Sequence, residues 1–191
     1  QVWAGSNSAF GEVWWFYCSK ASNQVDKYVI WNYQENLWYT GSLDRSTWID
    51  SGTYPLPYAT KYDGTNSTLF IHEQGKNDDG STLTSFIESG DFDIGDGDDI
   101  LFVNKLIPDF KNQVGNVNIS LKSRYFPTDT QTTKGPFFYS TSSSKVNVRT
   151  RGRQIAVRLE SNGYNNINND ALDEDWRLGT LRFEVQPDGK R

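Results

Sequence analysis

Between Lys145 and Glu160 the chain reads KVNVRTRGRQIAVRLE, and its apolar positions change register part-way. Val146 and Val148 alternate with Lys145, Asn147 and Arg149, and side chains two apart share one face of a strand. Arg151 and Arg153 continue the odd-numbered face. After Gly152 and Gln154 the odd face turns apolar, with Ile155, Val157 and Leu159 alternating with Ala156, Arg158 and Glu160. The pattern predicts one strand ribbon whose basic face becomes its buried face, with a β-bulge or tight bend at Gly152. A row of arginines of this kind ordinarily solvates a sheet face or pairs with acidic residues nearby.

The same alternation divides the rest of the chain. Gln1-Val2-Trp3 reads as mid-strand text. Strands are predicted at 12–18, 27–33 and 37–40, the last ended by Gly41, with a polar loop at 21–26 and a turn at 34–36. A further pair, 58–62 and 68–73, is joined across Asp63-Gly64-Thr65-Asn66, and Asp-Gly between apolar runs is a hairpin signal. Pro55 and Pro57 mark a loop. The polar break Gly75-Lys76-Asn77-Asp78-Asp79-Gly80 is the expected domain boundary. Beyond it strands are expected at 82–92, 100–110, 117–126 and 176–185, with polar loops at 127–135 and 161–170 and a closing turn at Pro187-Asp188-Gly189. No helix longer than a turn or two is predicted. The fold class is all-β: aromatic β-propeller blades over residues 1–80, then an antiparallel β-sandwich-like region of five to seven strands over 81–191.

Composition sharpens this picture in three places. Seven Trp, ten Tyr and eleven Phe in 191 residues supply rings that pack well in sheets and interfaces. The net charge of −5 argues against general nucleic-acid binding. Acids and bases number 9 and 5 before Phe86, against 15 and 14 from there on, sorted into blocks. No apolar run reaches the ~18 residues of a membrane helix, and no signal-peptide pattern opens the chain. Met is absent even at position 1, so a processed or partial chain is expected. The single Cys18, after Trp14-Trp15-Phe16-Tyr17, reads as a buried thiol.

Candidate chemistry is sparse. Asp91, Asp93, Asp96, Asp98 and Asp99 crowd a loop with Gly95 and Gly97. Carboxylates on such a turn can bind Ca²⁺, but the spacing lacks the order of an EF-hand and no bidentate Glu closes it. A solvated hairpin facing a basic partner is the simpler reading, and no metal or cofactor is assigned. His72 is the sole histidine, alternates with Phe70, and reads as structural. A pair of catalytic carboxylates cannot be selected from 24 scattered acids. Two sequons, Asn66-Ser67-Thr68 and Asn118-Ile119-Ser120, matter only in a secreted eukaryotic protein. Trp14, Trp15, Trp31, Trp38 and Trp48 are assigned to the core ahead of ligand stacking.

Several stretches, taken in order, resemble the tail nozzle or hub proteins of short-tailed bacteriophages, also called tail tubular or packaged-DNA-stabilising proteins. They are GEVWWFY at 11–17, YVIWNY at 28–33 with LWY at 37–39, ESGDFDIGDGD at 88–98, RGRQ at 151–154, WRLG at 176–179 and QPDG at 186–189. The joint order carries the resemblance, which corresponds to the C-terminal part of such a protein. It implies propeller and sandwich elements assembled as a homo-oligomeric ring around the DNA exit channel of the virion tail. The implied role is structural and non-enzymatic, with adaptor, tail-tip or fibre proteins as partners and transient contact with DNA.

On this reading Asp91, Asp93, Asp96, Asp98 and Asp99 are expected to meet Lys145, Arg149, Arg151 and Arg153 of a neighbouring subunit, or the basic row to line the channel. The alternative is a carbohydrate-binding, lectin-like β module of a receptor-binding protein, consistent with the aromatics, the Asn-rich loops and the net acidity.

Overall fold

A computed structural model describes residues 1–95, 97–162 and 174–190, and these are all-β, with several open antiparallel sheets and no α-helix. The chain divides into two units, Gln1–Gln74 and Gly75–Arg191. The division falls at the start of the 75–80 break. The short hairpin that begins in that break, β8 (Asn77–Asp78) with β9 (Ser81–Thr82), therefore belongs to the second unit.

The first unit opens with a meander, β1 (Val2–Asn7), β2 (Glu12–Tyr17), β3 (Lys27–Asn32) and β4 (Leu37–Ser42), each strand antiparallel to the next. Alternation decides which residues it buries. Trp14, Phe16 and Ile30 point to one face, where Val25 from the intervening loop joins them as the buried core. Fully burying a ring such as Phe16 contributes about 1.5–3 kcal/mol. β5 (Thr47–Ile49), β6 (Tyr58–Tyr62) and β7 (Ser67–Ile71) form a second sheet. Trp48 of β5 stacks on Trp14 with ring centroids 5.1 Å apart and donates its indole N–H to the Ser6 carbonyl at 2.7 Å. Gly5 makes room for it, since a Cβ there would lie 2.7 Å from Trp48 Cδ1. Gly41 does not end β4. It lies within the strand, under the Tyr28 ring, where a side chain would collide.

In the second unit two sheets share one core. One has the order β10 (Phe86–Glu88), β15 (Gln154–Ser161), β12 (Val117–Arg124), β13 (Thr132–Tyr139). The other is β14 (Val146–Gly152), β11 (Asp99–Val114), β16 (Asp175–Lys190). Val117, Ile119 and Leu121 from β12, Ile155, Val157 and Leu159 from β15, and Val146 and Val148 from β14 meet Leu101, Val103 and Leu106 of β11. A bulge between Val103 and Lys105 moves the inward positions of β11 from odd to even numbers, as one extra residue must. Pro108 is tolerated because β14 pairs with β11 only as far as Leu106, which leaves that side of the strand open.

The Lys145–Glu160 ribbon is thus two strands in two sheets. β14 buries even positions and β15 odd ones, with Arg153 alone between them. The change of face is a corner at which the chain leaves one sheet for the other. Gly152 sits in that corner because a Cβ would meet Ser123 Cβ at 3.0 Å and the Arg124 carbonyl at 3.1 Å.

Other segments differ from expectation. The expected strand at 82–92 keeps strand pairing only at β9, β10 and a bridge between Phe92 and Ile155, since Ser85, Ser89 and Phe92 bond individually to β15. β13 begins inside the expected 127–135 loop, paired with β12. Pro187-Asp188-Gly189 lies within β16, where an irregular register against β11 accommodates the proline. The Asn-rich loop expected at 161–170 lies, from residue 163 on, outside the described residues.

Candidate functional site

The acidic loop follows β10, and its first members are anchors. Asp91 is mostly buried, accepts a hydrogen bond from Gln131 Nε2 at 2.8 Å and pairs with the Arg124 guanidinium. The backbone of Phe92 exchanges hydrogen bonds with that of Ile155 at 2.8 and 3.0 Å. Gly95 and Gly97 take left-handed φ values of 65° and 77°, which glycine adopts at least cost. Asp93 and Asp98 are exposed, Asp99 begins β11 half-buried, and Asp96 lies outside the described residues. Among the described residues no group of three or more His, Cys, Asp or Glu side chains is placed to hold a metal ion.

The basic row starts beside this loop at Arg153 and runs away from it along β14, which pairs with β11 as far as Leu106. Arg153, at the corner, donates from Nε to the Gly97 carbonyl at 2.5 Å and lies 5.7 Å from the Phe126 ring centroid. Arg151 binds Asp188 twice, through Nε to Oδ2 at 2.6 Å and through a terminal nitrogen to the carbonyl at 3.0 Å. Lys145 and Arg149 are exposed on either side of Val146–Val148 and form no ion pair among the described residues. Of the basic row only Arg153 reaches the acidic loop among the described residues, and not as a carboxylate–guanidinium pair. Arg153 takes a backbone carbonyl, Arg151 takes Asp188, and Asp91 takes Arg124. Asp93, Asp98, Lys145 and Arg149 form no ion pair among the described residues.

A second charged group was not anticipated. Glu88 on β10 accepts from Lys122 on β12 and from Arg158 on β15, the latter at 3.0 Å. Arg158 also pairs with Glu160 at 2.8 Å and lies 3.9 Å over the Phe86 ring. Hydrogen bonds from Lys122 and Arg158 hold the Glu88 carboxyl below the usual carboxylate range, and that from Arg158 does the same for Glu160. Only the strand order β10-β15-β12 puts these residues in reach of one another, so local spacing carried no signal for them.

The tryptophans divide into two sets. Trp14 and Trp48 are core rings, as expected, whereas Trp15, Trp31 and Trp38 lie on the opposite face of the meander. Trp38 stacks between the other two, 5.9 Å from Trp15 and 6.0 Å from Trp31, with ring planes within 23°. Tyr33 meets Trp31 edge-on at 6.2 Å. Trp38 is 62% exposed, which corrects its assignment to the core. The signal was present: Trp14 and Trp15 are adjacent in a strand and must face opposite ways.

His72 is a structural acceptor. Arg45 Nε donates to its Nε2 at 3.0 Å, and its ring lies 4.8 Å from Trp48. The buried Arg45 also sits 4.0 Å over Phe70 and pairs with Asp44, which in turn pairs with Lys61. Asp44, Arg45 and Lys61 line an open cleft of about 680 Å³ together with Asp26 and Asp63.

No protein-family model matches the chain, and no curated protein matches it. Among the described residues no helix is long and apolar enough to cross a membrane.

Proposed function

We propose that the chain is part of a tail nozzle or hub protein of a short-tailed bacteriophage, present in several copies as a ring around the DNA exit channel and helping to retain packaged DNA. The observation that carries this reading is the meeting of two distant stretches of the nozzle-like sequence order at one corner of the second unit. ESGDFDIGDGD supplies Phe92 and Gly97, and RGRQ supplies Gly152 and Arg153. Phe92 bridges Ile155 and Arg153 clasps Gly97. These stretches build one charged corner, with Asp93 and Asp98 turned to solvent and Arg149, two residues before RGRQ, exposed on β14.

On this reading the β1–β4 meander is a propeller blade and β5–β7 a shorter one. The two sheets of the second unit are a seven-stranded sandwich. The exposed acids and bases of the corner contact neighbouring subunits, where opposite charges set register and partner choice more than affinity. Heterologous contacts of that kind close into rings. A net charge of −5 suits a channel through which DNA must slide, because dense phosphate contacts would hold it. The adaptor above and the tail tip or fibre below are the further partners, in the virion.

Electron microscopy of the purified protein tests the proposal. Ring particles with a central channel, and antibody against the chain labelling the tail of short-tailed virions, are the expected results. A protein that stays monomeric at high concentration and labels no tail overturns it.

A further inference from the structure

We propose that the outer face of the β1–β4 meander is a platform for a neutral oligosaccharide, with Trp38 as its central stacking residue. This goes beyond the tail assignment, and it requires that the outer face of the meander not be packed against a further propeller blade. The register places Lys27, Val29 and Trp31 of β3 opposite Ser42, Thr40 and Trp38 of β4, so these six share one face. Trp14, Phe16 and Ile30 already form the core on the other side. The outer rings are surplus to that core, and one face of an antiparallel sheet in water ordinarily alternates to polar residues. Here Trp38 keeps 62% of its surface exposed on an edge strand while stacking on Trp15 and Trp31. Exposed contiguous apolar surface of this kind marks an interaction site.

The chemistry of the surroundings selects the occupant. The part of Trp38 left clear by Trp15 and Trp31, 62% of its surface, is apolar area for the C–H face of a pyranose. Its hydroxyls need polar groups at the margin, and the ladder has them at both ends. At one end Asn36 Oδ1 accepts from Trp31 Nε1 at 3.3 Å, and at the other Lys27 Nζ donates to Ser42 Oγ at 2.6 Å. A single-stranded nucleic acid would use the same stacking but requires a basic track for its phosphates. Residues 1–74 hold seven carboxylates against four Lys and Arg, which disfavours any polyanion.

The test uses the full chain on an array of neutral oligosaccharides, with tryptophan-fluorescence titrations of maltohexaose, cellohexaose and laminarihexaose. Hexagalacturonate and the oligonucleotide dT10 are the anionic comparators. Saturable binding of at least one neutral glycan is expected, weakened at least tenfold in Trp38→Ala and largely restored in Trp38→Tyr, with unchanged melting. Thr40→Lys, which lays a long side chain on the same face, must weaken it too and serves if Trp38→Ala does not fold. Absence of neutral-glycan binding, binding indifferent to these substitutions, or stronger binding of dT10 overturns the proposal. So does a Trp38→Ala variant whose only change is the loss of self-association.

Discussion

Asn7 Nδ2 donates a 2.9 Å hydrogen bond to Glu73 Oε1, tying the end of the first strand to the residue two past the last strand of the first unit. Asn7 is fully buried and its Oδ1 has no partner among the described residues. Glu73 as a whole is exposed, but desolvation of its carboxyl raises its pKa above the ordinary value, with Glu12 adding to the rise and the hydrogen bond from Asn7 opposing it. A carboxyl with a raised folded-state pKa contributes stability that is present below its unfolded pKa and lost as pH rises through the folded value. Glu73→Gln keeps the acceptor, removes the charge and offers an amide N–H to Asn7 Oδ1. It is expected to raise the melting temperature at pH 7, with the gain shrinking toward pH 4. A melting series across that range checks it.

The second unit should respond to acid in the opposite sense. Glu88 and Glu160 have depressed folded-state pKa values because Lys122 and Arg158 hydrogen-bond to Glu88, and Arg158 to Glu160. Their contribution is present above the unfolded carboxylate range, about pH 4.3, and is lost as pH falls through the folded values. Arg158→Gln is expected to cost about 1 kcal/mol near neutrality, in keeping with partly exposed pairs. The cost should fade in urea titrations at progressively lower pH.

The corner glycine and a loop glycine give opposite expectations. Gly152→Ala places a methyl 3.0 Å from Ser123 Cβ and 3.1 Å from a carbonyl, so a loss of about 1–3 kcal/mol is expected. Gly90 has open space around its Cβ position and no left-handed φ. Gly90→Ala should be neutral or gain about 0.4–1 kcal/mol by restricting the unfolded chain. Chemical denaturation of both variants separates the two.

Arg149 and Arg153 should fail in different ways. Arg153 holds the acidic loop through Gly97, so Arg153→Ala is expected to speed hydrogen exchange and proteolysis across residues 91–99. Arg149 is exposed and bound to nothing through its side chain among the described residues, so Arg149→Glu should leave melting within about 0.5 kcal/mol of the parent. If the corner joins subunits, the same variant abolishes ring particles in electron micrographs.

Period-two alternation is a local property, and it was enough to locate β2, β3, β6, β12, β14 and β15 and to name the inward residues of the last three. Even the change of face near Gly152 is written in the order of residues, because a side chain's parity along a strand depends only on its neighbours. Which sheet a strand joins depends instead on distant partners. Val146–Gly152 pairs with β11, while Gln154–Ser161 pairs with β10 and β12, and no local pattern distinguishes that corner from a bulge. The same limit applied to the chemistry. The acids and arginines were visible as blocks, but only folding determined that Arg153 would reach a carbonyl, Arg151 would reach Asp188, and Glu88 would meet Lys122 and Arg158. For the tryptophans, composition announced a surplus of rings, and the pairing of β2, β3 and β4 placed three of them outside the core, because each strand has two faces and only one could be buried.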